Sequence, residues 1–174
     1  MLLVVLVVDV VTKAIAERAL LPRGIPREVF GDWFRFTLVY NPGAAFGLNL
    51  GPQSRWIFSA LTIVALLNRS RLYLTTHPGH TARVSALALV CAGAIGNLID
   101  RLRSFFGVVD FVDIGIGDMR WPTFNVADMA VSIGAGLLAY VLWQEDQAAH
   151  AAAPAVAPVP VPASASGGEP GDLA

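Results

Sequence analysis

The 174-residue chain carries 12 Lys plus Arg, 13 Asp plus Glu and a formal net charge of −1. Only 14% of its residues are charged and 55% are hydrophobic, against about 25% charged in an ordinary soluble domain. This argues against a soluble enzyme and for a small integral membrane protein. Near-zero charge without a basic block speaks against a nucleic-acid binder, and a single cysteine excludes an intrachain disulfide framework or a Cys-rich metal centre.

The first apolar segment runs from Met1 to about Leu21 and is interrupted by Asp9, Lys13, Glu17 and Arg18. The stretch before Asp9 amounts to ~12 Å of helix, less than a bilayer, which leaves room for a natural start upstream of Met1. A cleaved signal peptide ending at Ala14-Ile15-Ala16 is the weaker alternative. It lacks a basic leader, and Asp9 and Lys13 break its apolar core. Next, Trp33–Tyr40 is aromatic and β-branched, and Asn41-Pro42-Gly43 ends it as a turn. Trp56–Leu67 is a short apolar segment that reaches Leu74 if Arg69 and Arg71 snorkel to the headgroups. Val84 to about Ile99 is the third span, with Cys91 in its middle as a packing residue. Val108–Ile116 is a second strand candidate, and Val126–Trp143 is the cleanest span. From Gln147 onward the chain is rich in Ala, Pro, Val, Ser and Gly, which reads as a disordered tail.

The expected architecture is an all-α membrane protein with four transmembrane helices and a small β-cradle on one side. Residues 1–146 form the membrane domain and 147–174 the tail. With four spans, both extended stretches lie on the same side, opposite a short loop around Thr75–Ala82. Arg18, Arg23, Arg27, Arg35, Arg101, Arg103 and Arg120 fall on the elaborated side, and only Arg69, Arg71 and Arg83 flank the short loop. A plain positive-inside count therefore puts the elaborated face in the cytoplasm.

Ionisable groups beside apolar spans are costly and need a reason. Asp9, Thr12 and Lys13 share one helical face, as a structural ion pair or as part of a site. Asn41-Pro42-Gly43-Ala44-Ala45-Phe46-Gly47 follows a strand with small residues that allow close backbone approach, although taken alone it is an ordinary turn. In Gly93-Ala94-Ile95-Gly96-Asn97-Leu98-Ile99-Asp100-Arg101, the glycines permit tight helix packing, and Asn97 and Arg101 share a face at the membrane boundary. In Val108-Val109-Asp110-Phe111-Val112-Asp113 the two aspartates have opposite parity and point to opposite faces of a strand. In Phe124-Asn125-Val126-Ala127-Asp128, Asn125 is a helix N-cap and Asp128 stands at the third helical position, a capping box with Asp in place of Glu.

Asp110 and Asp128 lie on the same membrane side. Two carboxylates brought close share one proton, because both cannot ionise cheaply. The ionised member can take a proton from an attacking water and the protonated member can donate one. That is aspartic peptidase chemistry, which uses no cofactor or metal. His77, His80 and His150 fall on the opposite loop and in the tail, away from these acids, and no serine sits in a nucleophile-elbow context.

The five groups, in this order, resemble the bacterial lipoprotein signal peptidase family (signal peptidase II), over about residues 1–143. The matching motifs are Asp9-x-x-Thr12-Lys13, Asn41-x-Gly43-Ala44-Ala45-Phe46, Gly96-Asn97-Leu98-Ile99-Asp100-Arg101, Val108-Val109-Asp110-Phe111 and Phe124-Asn125-Val126-Ala127-Asp128. The resemblance implies a monomeric, multi-pass aspartic endopeptidase of the bacterial inner membrane. Its substrates would be prolipoproteins whose cysteine carries a diacylglyceryl group held in membrane lipid, with no nucleic-acid partner, and it would cut before that cysteine. Asp110 and Asp128 would be catalytic. Asn41, Gly43, Asn97, Arg101 and Asn125 would line or brace the site, supported by Asp9 and Lys13. Family members are blocked by the cyclic peptide globomycin. The resemblance also implies an active site near the outer leaflet and cytoplasmic termini, against the arginine count. This chain departs from the family pattern in a short N-terminus, a short second span and one extra residue between Arg101 and Asp110. A cradle built from the two extended stretches would bind peptide by strand addition, with the loop around Gly107 or Pro52 as a candidate lid.

Two other function classes compete. A transporter or channel component would spread polar groups through the bilayer depth, whereas here they gather at one end apart from Asp9. A membrane assembly factor with a structural polar cluster would tolerate Asp128→Asn.

Overall fold

In the computed structural model, which describes residues 1–43, 51, 53–75 and 80–152, the first helix is inside out. Helix α1 (Leu2–Ala19) buries Asp9, Lys13 and Ala16, while Leu3, Val4 and Ile15 are 69%, 65% and 58% exposed. A helix in water does the reverse.

Helices α2 (Ser54–Thr75), α3 (Thr81–Arg103) and α4 (Val126–Ala152) complete the helical part. Among the described residues, Thr81–Arg103 and Val126–Ala151 are long and apolar enough to cross a membrane, and Ser54–Asn68 is a shorter apolar helix. Among the described residues, α3 and α4 share the most extensive helix–helix contact. A Cβ on Gly134 would stand 2.8 Å from the Ala86 carbonyl oxygen, and one on Gly93 would strike the Ala127 carbonyl. The two helices approach as closely as they do because these positions lack side chains. Ala86, Leu87 and Leu138 form the apolar cluster nearby.

The chain is not all-α. Strands β1 (Arg27–Phe30), β2 (Phe34–Asn41), β3 (Val108–Ile116) and β4 (Met119–Arg120) form one antiparallel sheet in the order β1-β2-β3-β4. The two longer strands are those expected for the β-cradle, and the two short ones escaped the sequence. β1 and β4 are too short, at 4 and 2 residues, to carry a period-2 signal. β3 keeps the bounds expected from sequence and β2 is shifted by one residue. β2 and β3 pair in a register that sets Val39 opposite Asp110 and Arg35 opposite Asp113. Leu38, Val109, Phe111 and Val112 pack with Ala16 of α1 and Leu20 just after it, which ties the sheet to one end of the bundle.

α4 continues through Ala152, so the helix runs past Gln147, where the sequence reading begins the tail. The Ala-rich stretch 147–153 favours helix, and the first breaker is Pro154, which also disfavours helix at the residue before it. The rest of the expected tail lies outside the described residues, as do Ala44, Ala45, Phe46, Gly47, Pro52 and His77.

Candidate active site

Buried polar side chains from α1, α3, β3 and the residue before α4 meet at the sheet end of the bundle. The Lys13 Nζ on α1 lies 2.8 Å from Asp9 Oδ2 and 2.9 Å from Asp100 Oδ2, and it donates to Asn97 Oδ1 at 2.9 Å. Asp9 Oδ1 accepts the Ala127 backbone N–H at 2.8 Å, which fastens α1 to the first turn of α4. Gly96 makes room for this contact, since a Cβ there would collide with the Asp9 carboxylate. Asp100 also accepts the Val109 N–H at 3.3 Å, linking the end of α3 to β3. Asp100 is absent from the sequence-derived site residues. Its spacing of three from Asn97 on one helical face is the signal that could have found it.

Asn125 and Asp128 form the reciprocal cap read from the sequence. The Asp128 N–H donates to Asn125 Oδ1 at 2.9 Å, and the Asn125 N–H donates to Asp128 Oδ2 at 3.3 Å. The other Asp128 oxygen, Oδ1, accepts from Asn97 Nδ2 at 2.7 Å. The Asn125 side chain does more than cap. Its Nδ2 donates to Asp110 Oδ1 at 2.7 Å, with the Val109 carbonyl at 3.3 Å and Asn97 Oδ1 at 3.1 Å. Segment 121–124 is laid beside β3 by the Phe124–Val112 pairing, and this carries Asn125 to Asp110.

Asp110 and Asp113 point to opposite faces of β3, as the strand parity requires, and meet different partners. Asp110 Oδ2 accepts from Asn41 Nδ2 at 3.2 Å. Burial, then the charge of Asp128, push the Asp110 carboxyl up to about 7, against the opposing hydrogen bonds from Asn125 and Asn41. Asp113 is held below the usual carboxylate range. Burial would raise it, but hydrogen bonds from Arg120 and Thr37 and the charges of Arg120 and Arg35 outweigh burial.

Arg101 is buried on α3. Its Nη2 donates to the Gly43 carbonyl at 3.1 Å and its Nη1 to the Asn97 carbonyl at 3.4 Å. The Gly43 N–H in turn donates to Asn41 Oδ1 at 3.0 Å. The guanidinium thus holds the Asn41–Gly43 turn against the end of α3. Gly107 (φ 99°) backs onto the same turn, where a Cβ would stand 2.7 Å from Pro42 Cα.

Asp110 and Asp128 both line a cavity of about 590 Å³. Asn41, Pro42 and Gly43 form one wall, Trp121, Pro122 and Thr123 another, and Met129, Val131, Ser132 and Ile133 continue it along α4. The structure therefore brings Asp9, Lys13, Asn41, Gly43, Asn97, Arg101, Asp110, Asn125 and Asp128 into one hydrogen-bonded region. The α4 and 121–123 walls went unread, because nothing in their local sequence says that they face a cavity. Among the described residues no group of three His, Cys, Asp or Glu side chains is arranged to hold a metal ion. Two carboxylates on one cavity, Asp110 buried and Asp128 half-buried, with Asp110 pushed up to about 7, can activate a water and protonate a leaving group without further help.

Comparison with known proteins gives a consistent result. The family model described as signal peptidase (SPase) II matches residues 1–144. The lipoprotein signal peptidase of Paraburkholderia phytofirmans is 43% identical over 138 residues, which is 78% of this chain and 78% of that protein. The lipoprotein signal peptidase of Burkholderia mallei is 47% identical over 112 residues, covering 62% of this chain and 65% of its own. A bacterial membrane enzyme solved in meso at 2.3 Å superposes with a TM-score of 0.74 at 31% identity, over 83% of this chain and 86% of that one. A second, solved in meso at 1.9 Å, gives 0.70 at 32% identity, over 81% and 88%.

Proposed function

The chain belongs to the signal peptidase II family, and on that premise we propose that Asp110 and Asp128 are its catalytic carboxylates and that it cuts prolipoproteins directly before a diacylglyceryl-modified cysteine. The protein is a membrane aspartic endopeptidase that removes signal peptides from lipoproteins. The observation that carries the assignment of the pair is that both carboxylates open on one cavity while hydrogen-bonded to the same residue, Asn125.

The resting pair holds one proton, on Asp110, which is protonated up to about pH 7. Both Asp128 oxygens accept hydrogen bonds at the N-terminus of α4, where a negative charge is favoured. Asp128 takes a proton from water as the water oxygen bonds to the scissile carbonyl carbon. Asp110 donates its proton to the carbonyl oxygen. The tetrahedral gem-diol then collapses: one hydroxyl returns its proton to Asp110 as the carbonyl reforms, the C–N bond breaks, and the departing amine takes the proton that Asp128 received. Arg101 and Asn41 brace the peptide-facing turn. β1 pairs with β2 only as far as Phe36, and Val39–Gly43 beyond it lines the cavity, which suits an extended substrate adding as a strand.

We read all four helices as spans of the bacterial inner membrane, with the sheet and the active site at the outer leaflet, cytoplasmic termini, and a monomer that contacts lipid and no nucleic acid. The apolar outer face of α1 around its buried Asp9–Lys13 pair supports the span for that helix. The orientation rests on the resemblance.

The test is cleavage of a diacylglyceryl-modified prolipoprotein by purified protein, beside Asp110→Asn and Asp128→Asn variants shown by thermal unfolding to be folded. Loss of about 10³-fold or more in both variants, with no effect of chelators, is expected. Retained turnover in either variant removes that residue from the pair.

A further inference from the structure

Ser132 stands four residues after Asp128 on α4, and both side chains line the same cavity. Four residues are about one helical turn, so the hydroxyl lies ~5–6 Å further from the sheet than the carboxylate. The wall around it is apolar, built from Met129, Val131 and Ile133. Thr12, Ser59 and Thr62 each return their hydroxyl to the carbonyl four residues before, at 2.7 Å. Ser132 has no hydrogen bond among the described residues. Ser132 is exposed on this cavity wall, so its hydroxyl is open to whatever occupies the cavity and has one hydrogen to donate to it.

This inference rests on the proposed substrate. In a diacylglyceryl-modified cysteine the path from the scissile carbonyl carbon runs through the amide nitrogen, Cα, Cβ, the sulfur and the glyceryl carbons to an ester carbonyl. That is about eight bonds, with an extended reach on the order of 10 Å. With the scissile bond at the two carboxylates, an ester carbonyl reaches the level of Ser132, and the acyl chains continue along the apolar wall. We propose that Ser132 is a substrate-binding residue that donates a hydrogen bond to an ester carbonyl of the diacylglyceryl group. An ester offers only acceptors and the serine hydroxyl has one hydrogen to give, so the polarity matches. The contact distinguishes an acylated glyceryl group from a merely hydrophobic one and sets the depth at which the lipid hangs below the scissile bond.

The test uses two lipobox peptides in the same detergent, one carrying dipalmitoylglyceryl-cysteine and one its dihexadecyl ether analogue, which keeps the chains and lacks the carbonyls. Wild type, Ser132→Ala and Ser132→Thr are compared, with thermal unfolding as the folding control. Wild type should favour the diester. Ser132→Ala should lose roughly 2- to 12-fold in kcat/KM on the diester, the worth of one neutral hydrogen bond, and nothing on the diether, while Ser132→Thr keeps the preference. Equal losses on both peptides, or no loss on either, overturn the assignment while leaving the peptidase intact. Failure of wild type to cut either peptide overturns the lipoprotein reading itself, and this inference with it.

Discussion

Asn97 Nδ2 donates to Asp128 Oδ1 at 2.7 Å. The orientation of that amide is set from the far side, where its Oδ1 accepts from Lys13 Nζ at 2.9 Å. An ammonium can only donate, so the oxygen must face Lys13 and the NH₂ must face Asp128. Through one side chain, the buried ion pair of the first helix therefore acts on the cavity. Asn97→Asp replaces this donor with a second carboxylate facing Asp128. It should lower kcat/KM by about 10²-fold or more, the usual cost of losing one preorganised donor. Asn97→Gln, which keeps the amide, should lose less. Steady-state cleavage of a lipidated peptide by the two variants checks this.

Because Asp110 is pushed up to about 7 from 3.8 by burial first and by Asp128 second, both activity and stability depend on pH in a definite direction. Activity needs the proton on Asp110, so kcat/KM should fall as pH rises through about 7. For stability, folded and unfolded chains both hold this proton below about pH 4. Between there and about 7 only the folded chain holds it, so stability from this group is lost as pH rises and levels off above 7. The shift corresponds to a few kcal/mol, on the order of 3–5. Asp110→Asn should flatten this part of the stability profile, measured as melting temperature from pH 4 to 8.

Lys13 is 1% exposed and faces Asp9 and Asp100 together. Lys13→Met leaves two buried carboxylates without their cation and should cost about 3–5 kcal/mol. The double variant Lys13→Met with Asp9→Asn should recover part of that loss, because one of the stranded charges is gone. Unfolding midpoints of the three proteins in one detergent decide it.

Asp113 is the control for Asp110. It sits three residues away on the opposite face of β3, where Arg120 Nε is 2.6 Å and Arg35 Nη2 is 3.1 Å from its oxygens, and Thr37 Oγ1 donates at 2.7 Å. Its depressed pKa contributes stability above the ordinary carboxylate range that is lost as pH falls through the folded value. Asp113→Asn should therefore cost about 1–3 kcal/mol of stability and leave cleavage within about 3-fold of wild type. A loss comparable to that of Asp110→Asn would mean that this face of the sheet also meets substrate.

Local geometry made much of this protein legible from its residues alone. The bounds of β3, the opposed faces of Asp110 and Asp113, and the reciprocal cap of Asn125 and Asp128 depend only on spacings of two to four residues along a strand or a helix turn. The close approach of α3 to its neighbours was written in Gly93, which meets α4, and Gly96, which meets Asp9 of α1, because a missing side chain has a local meaning. What the tertiary structure decided lies at long range. Lys13 bonds to Asn97 across 84 positions and Asp9 to the Ala127 N–H across 118, and no period in the sequence encodes such pairings. Asn125 reads as a helix cap, yet only the pairing of Phe124 with Val112 brings its amide to Asp110. The short β1 and β4, the role of Asp100 and the place of Ser132 on the cavity wall stayed hidden for the same reason. Each owes its position to packing between segments distant in the chain, whereas the sequence specifies directly only what neighbouring residues do to one another.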